Sequence, residues 1–105
     1  TTIYLSGRMT GVPKFNFPAF NQYAKLFRDN GSDVINAAEM GVVAGWTWED
    51  YMRRAIRAMM DADIVFTLSG WEKSKGAQIE VDLAKKLNIP VYHDLNKLVH
   101  AIKKE

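Results

Sequence analysis

Short β-rich runs and longer stretches of helical spacing alternate through the chain, and this alternation limits the folds open to it more than any other feature. Residues 2–6 (TIYLS), 33–35 (DVI), 63–68 (DIVFTL) and 90–92 (PVY) carry the strand signal. Residues 17–30, the stretch that opens at Trp48, residues 75–87 and residues 95–104 carry the helical one. Strict alternation of this kind predicts a parallel sheet of about four strands with helices on both faces and right-handed crossovers. At 105 residues the length suits one domain, 1–105, without linker, repeat or low-complexity tract.

The helical faces are legible. Phe20, Tyr23, Ala24 and Phe27 share one face of the first helix, with Pro18 in its first turn and Gly31 just beyond its end. In the second, Trp48, Met52, Ala55, Ile56 and Met59 line the inward side, with Glu49, Asp50, Arg53, Arg54 and Arg57 opposite. DIVFTL is the most apolar run and reads as a central strand covered on both sides. The stretch 36–47, with Gly41 and Gly45, reads as a loop or a broken short helix.

Composition narrows the chemistry. Hydrophobic residues make up 48% and charged residues 25%, a globular balance that argues against disorder. There is no cysteine, which excludes disulfides, thiolate metal sites and a cysteine nucleophile. A net charge of +2 gives little reason to expect nucleic acid and suits a small anionic ligand better. No apolar run reaches the roughly 20 residues that span a bilayer, and the first residues carry no basic leader or cleavage site. The expectation is a soluble, cytoplasmic protein with no membrane partner.

In sheets of this type ligands bind beyond the carboxyl ends of the strands, where strand order switches. The loops 6–13 and 69–76 are therefore the places to look. Glu80 stands out: on the third helix it shares an inward stripe with Gly76, Leu83, Ala84 and Leu87, and a glutamate is almost never buried without a partner or a task. A neighbouring arginine or backbone amide would satisfy it, but Gly76-Ala77 one turn earlier clears bulk where a ligand could approach. The loop Ser6-Gly7-Arg8-Met9-Thr10-Gly11 offers backbone amides, hydroxyls and a planar cation suited to phosphate or carboxylate. Ser74 is placed to cap the third helix, and a phosphate at that terminus would use the same geometry. Trp46, Trp48 and Trp71 could stack on a base or close the rim of a core. Arg53, Arg54 and Arg57 read as a solvated face. His93 and His100 lack partners at metal-ligand spacing, so neither metal nor cofactor is expected. Asp63 reads as a turn or edge residue close to the ligand-binding side of the sheet.

Taken together, Tyr4…Ser6-Gly7-Arg8, the run Asp61-Ala62-Asp63-Ile64-Val65 and Ser74-x-Gly76-Ala77-x-x-Glu80-x-x-x-Ala84 resemble the nucleoside 2-deoxyribosyltransferase-like superfamily. The resemblance covers nearly the whole chain. It is nearest to a small bacteriophage-associated branch marked by IYLSGRMTG and GWEKSKGA, and in site pattern to the 2′-deoxynucleoside 5′-phosphate N-hydrolases. It implies a Rossmann-like or flavodoxin-like three-layer α/β fold. It further implies that Glu80 is the nucleophile at C1′ of a deoxyribosyl group, oriented by Tyr4, in the manner of a retaining glycosidase. Transferases of the superfamily tend to carry Asp six residues before the nucleophile, and the monophosphate hydrolases Ser. Ser74 therefore implies a 5′-monophosphate, with Ser6, Gly7, Arg8, Thr10 and Gly76 around it and Trp46 and Trp48 at the base.

One position departs from the pattern. After the Arg53-Arg54 pair the superfamily usually has an Asp that helps protonate the leaving base, and this chain has Ala55. Three explanations stay open: a slowed reaction, recruitment of Asp50, Asp61 or Asp63, or a change introduced to trap a ligand. The expected activity is hydrolysis of the N-glycosidic bond of a 2′-deoxynucleoside 5′-monophosphate. Deoxyribosyl transfer and a non-catalytic nucleotide-binding module that sequesters or senses its ligand are the alternatives. Four short strands give a shallow cleft. Subunits of the superfamily close one another's sites, so a homodimer or higher homo-oligomer is expected.

Overall fold

The computed structural model describes residues 1–103; Lys104, the expected end of the last helix, and Glu105 lie outside the described residues. The elements run β1 (Thr2–Ser6), α1 (Phe17–Asp29), β2 (Asp33–Ile35), α2 (Trp48–Met59), β3 (Ile64–Thr67), α3 (Lys75–Lys86), β4 (Val91–Tyr92) and α4 (Leu95–Lys103). Single 3₁₀ turns at Pro13–Asn16, Ala37–Glu39 and Trp71–Lys73 sit in the loops that follow β1, β2 and β3. The four strands pair in parallel in the order β2-β1-β3-β4. This is the expected three-layer Rossmann-like α/β fold, with the strand order of a flavodoxin-like sheet.

The period-two alternation of the central strands builds the layers. Ile3 and Leu5 of β1 join Ile64 and Phe66 of β3 and Leu68 just beyond it in one core, closed by Phe20, Ala24 and Phe27 of α1 and Leu98 of α4. Tyr23, Phe27 and Phe66 pack there with ring centroids 5.1–6.2 Å apart, a geometry that adds roughly 0.5–1.5 kcal/mol per pair beyond area burial. Tyr4 and Val65 point the other way and meet Met59 at the end of α2, Ala62, and Ala84 of α3. So α1 and α4 cover one face, and α2 and α3 the other.

Strand order changes direction between β1 and β3. The loops leaving their carboxyl ends part there and leave a crevice. Gly7 makes the first bend possible: a Cβ at that position would stand 3.0 Å from Leu68 Cβ and 3.3 Å from Phe20 Cζ. The loop then passes through three successive left-handed residues, Lys14, Phe15 and Asn16 (φ 55°, 53° and 61°). Each such residue costs of order 1 kcal/mol or more, and the turn leaves the Phe15 ring 62% exposed. On the far side, α2 starts in a capping box of Thr47 and Asp50 and α3 on Ser74. No helix among the described residues is long and apolar enough to cross a membrane.

Candidate active site around Glu80

Glu80 enters the crevice from α3 and is 5% exposed. Tyr4 Oη donates to Glu80 Oε2 at 2.5 Å, and Ser6 Oγ donates to Oε1 at 2.8 Å. Tyr4 and Ser6 are two apart on β1, so the strand puts both hydroxyls on the α2/α3 side, facing the glutamate. Neither an arginine nor a backbone amide satisfies this carboxylate, and no ion pair among the described residues involves it. With one hydrogen bond per oxygen, each oxygen keeps a lone-pair site for another partner. Burial pushes the Glu80 carboxyl above the ordinary range, and the Tyr4 and Ser6 hydrogen bonds oppose that rise in part. Burial first, and then the negative charge of Glu80, hold the Tyr4 phenol well above its usual value, so it remains a proton donor.

Glu80 lines a cleft of about 520 Å³, within the range of small-molecule sites. Tyr4, Gly7, Met9 and Thr10 contribute from β1 and its loop, and Trp48, Met52 and Ala55 from α2. Ala37, Ala38 and Met40 come from the loop after β2, and Phe15, Phe17 and Phe20 complete an apolar wall. A second hollow of about 450 Å³ adjoins it, lined by Arg8, Lys73, Lys75 and Glu49 together with Thr10, Trp48, Ser74 and Gly76, which border both. Three cations and one anion give this smaller hollow a basic character. Ser74 Oγ accepts from the Ala77 N–H at 3.1 Å as the helix cap, which leaves its own O–H to give. An apolar chamber ending on a buried carboxylate thus opens into a basic hollow at a helix N-terminus.

Most of the residues expected at the site meet here: Tyr4, Glu80, Ala55, Gly7, Thr10, Ser74, Gly76 and Trp48 line the cleft, and Arg8 the adjoining hollow. Others stand elsewhere than expected. Ser6 is engaged by Glu80 instead of a phosphate loop, because strand alternation carries it inward. Gly76 lines the cleft as expected, and its missing side chain also makes room for a neighbour, since a Cβ there would lie 2.9 Å from Met52 Sδ. Trp46 does not line the cleft; its ring packs edge-on against Tyr51 at 5.2 Å with the Arg54 guanidinium 4.9 Å away. Trp71 stacks on His93 at 4.9 Å, and His93 Nδ1 lies 2.6 Å from Thr67 Oγ1. Among the described residues, no three of His, Cys, Asp and Glu gather where they could hold a metal ion.

The stripe of α3 is centred one position later than expected, on Ala77, Glu80, Val81 and Ala84, and Leu87 is 51% exposed. Arg54 is no solvated side chain: it donates to the Met40 and Gly41 carbonyls at 3.1 and 2.7 Å and borders the cleft. Tyr51 Oη accepts from the Val43 N–H at 3.0 Å and donates to its carbonyl at 3.1 Å. Together Arg54 and Tyr51 bind the loop 40–46 to α2. Met52 belongs to the inward stripe read from the sequence and Tyr51 stands beside it, whereas Phe15 reaches the cleft through a left-handed turn that no sequence pattern announces.

None of the acids considered as substitutes for an Asp at position 55 reaches the cleft. Asp50 is folded into the helix cap, accepting from Thr47 N–H at 2.9 Å. Asp63 accepts from the Thr2 N–H at 2.8 Å at the amino edge of the sheet, the end opposite the crevice, and Asp61 is exposed in the turn before it.

Residues 1–93 match the model of a family described as "Domain of unknown function (DUF4406)", and the chain belongs to that family. No curated protein matches the chain significantly.

Proposed function

We propose that this DUF4406 chain is an N-glycosidase of the nucleoside 2-deoxyribosyltransferase-like superfamily, acting on a 2′-deoxynucleoside 5′-monophosphate. The observation that carries the reading is Glu80: a buried carboxylate at the end of a cleft, held by two hydroxyls and in no ion pair among the described residues. A glutamate engaged only in holding the fold would be expected to have a cation or amides around it. Here its lone pairs are fixed in direction, as a nucleophile needs.

In this reading the 5′-phosphate occupies the basic hollow, taking the Ser74 hydroxyl and the amino end of α3 with Arg8, Lys73 and Lys75 in reach. The base lies in the apolar chamber, and C1′ comes to Glu80. Attack of a Glu80 oxygen on C1′ forms a glycosyl ester as the C1′–N bond breaks. Water then attacks C1′ from the other side and frees the sugar phosphate, so configuration is retained. Tyr4 and Ser6 position the carboxylate and disperse its charge. Ala55 leaves the chamber without a carboxylic acid beside the leaving base, and general acid help is typically worth roughly 10²–10⁴ in rate. The chain is accordingly a slow enzyme toward ordinary deoxynucleotides. A nucleotide substrate places the reaction in the cytoplasm.

The open mouth suits closure by a second copy: Phe15, Val42 and Trp48, 62%, 87% and 38% exposed, are apolar side chains at its rim. Free base released from a panel of deoxynucleoside monophosphates, followed by chromatography, tests the activity. Slow release that rises on Ala55→Asp and stops on Glu80→Gln supports it. No release from any member by either the native chain or Ala55→Asp overturns it. Incorporation of an added free base would make the activity a transfer. Ala55 also favours a second reading, a non-catalytic nucleotide-binding module, which predicts calorimetric binding without turnover in both chains.

A further inference from the structure

Expelling a neutral nucleobase calls for two groups, a nucleophile at C1′ and an acid at the base, and this cleft holds one carboxylate. Among the described residues Glu80 is the sole acidic side chain lining the larger cleft. The other proton-bearing groups there are committed or unsuited. The Tyr4 hydroxyl is committed to its hydrogen bond to Glu80, and the Tyr51 hydroxyl is taken by both backbone groups of Val43. Arg54 is fixed on two carbonyls, to which both of its terminal nitrogens donate. Thr10 and Ser74 are aliphatic alcohols at the border with the basic hollow, and the exposed Glu49 lines that hollow alone.

A leaving group that is already cationic removes the need for an acid. We infer that the preferred substrates are nucleotides whose base carries positive charge in the ring system bonded to C1′, a pyridinium or an N7-quaternised purine. The inference rests on Glu80 being the nucleophile as proposed above. The steps balance without a proton donor. A Glu80 carboxylate oxygen bonds to C1′ while the C1′–N bond breaks, its electron pair passing to the ring nitrogen and cancelling the positive charge, so the base departs neutral. Water then adds to C1′, the ester C–O bond breaks with its pair returning to Glu80, and the proton lost by water goes to solvent. The surroundings suit such a ring: Phe15 and Phe17 line the cleft with aromatic side chains and Met52 with a polarisable thioether, while the Trp48 ring already carries the Lys75 ammonium 4.5 Å from its centroid. Among the described residues that line this cleft Arg54 is the one cation, and its guanidinium is turned onto the Met40 and Gly41 carbonyls.

The matched pair N7-methyl-2′-deoxyguanosine 5′-monophosphate and 2′-deoxyguanosine 5′-monophosphate tests this, because they differ by one methyl group and its charge. Base release is measured at neutral pH, each corrected for its uncatalysed rate, in the native chain, Ala55→Asp, Ala55→Asn and Glu80→Gln. The expected kcat/KM ratio is at least 100-fold in favour of the methylated nucleotide. It should fall at least tenfold in Ala55→Asp through a gain on the unmethylated one, and stay unchanged in Ala55→Asn, which fills the space without an acid. Glu80→Gln should cleave neither. A native ratio below tenfold overturns the inference and leaves the glycosidase reading intact, as does a ratio that Ala55→Asp does not move. Cleavage that survives Glu80→Gln, or no cleavage of either nucleotide by any of the four chains, overturns the glycosidase reading itself.

Discussion

Glu80 is governed by opposing influences, and the balance sets its pH behaviour. Burial raises its pKa, and the two hydroxyl bonds lower it. A nucleophilic carboxylate must be ionised, so kcat/KM climbs with pH through a limb that lies above the ordinary glutamate value of 4.5. Removing either hydroxyl takes away stabilisation of the ionised form only, a hydrogen bond to charge worth about 1.5–3 kcal/mol. Tyr4→Phe and Ser6→Ala are therefore expected to move the limb to higher pH, with a partial loss of rate at neutrality that more alkaline solution recovers. A pH–rate profile checks this, and a limb that stays in place in both variants would show that the hydroxyls do not act on the carboxylate. The sequence disclosed Glu80 because a helix turns by a fixed angle and its inward side repeats. It disclosed Ser6 only in part. Its partner lies 74 residues away, and a serine before a glycine at a strand end resembles an anion loop unless its parity with Tyr4 is followed.

At the scale of elements, the boundaries were legible because period, caps and breakers agree with one another. All of β1 and β2, the end of β4 and the starts of all four helices stand where the pattern set them, and the ends of α1 and α3, both ends of β3 and the start of β4 differ by one residue. The stretch 36–47 was legible as a loop or broken short helix, and it is a loop with one short 3₁₀ turn at Ala37–Glu39, but its shape was not legible. Its shape comes from Arg54 and Tyr51 reaching across from α2 to backbone groups of Met40, Gly41 and Val43, and nothing periodic marks such bonds. The loop supplies Met40, Gly41 and Val42 to the cleft wall, away from Glu80's hydroxyl partners. Arg54→Ala should release the loop and raise KM severalfold while kcat changes little, since the wall binds substrate before and during reaction alike. Steady-state kinetics distinguishes this from a fall in kcat at constant KM, which would place Arg54 in the chemistry instead.

For the whole molecule, the order β2-β1-β3-β4 brings the loops after β1 and β3 to one crevice and sends α2 and α3 to the same face of the sheet. The Glu80 carboxylate, its hydroxyl pair, the apolar chamber and the basic hollow are brought together by that topology, and strand–helix alternation announced it. What the alternation did not convey is the composition of the walls, since Trp46 and Trp48 are two residues apart and only Trp48 borders the cleft. The rim leaves Phe15, Val42 and Trp48 in solvent, so light scattering at assay concentration is expected to report a dimer or larger assembly, and Val42→Glu to shift it toward monomer. A native chain that is monomeric throughout would mean that each cleft works open. The most direct test of the account is intact and peptide mass spectrometry of the chain quenched during turnover of a 2′-deoxynucleoside 5′-monophosphate, with Ala55→Asp and Glu80→Gln alongside. The account predicts one deoxyribose 5-phosphate residue bound as an ester on the peptide carrying Glu80, absent from Glu80→Gln. Base release without any adduct there, or an adduct on another residue, would contradict it.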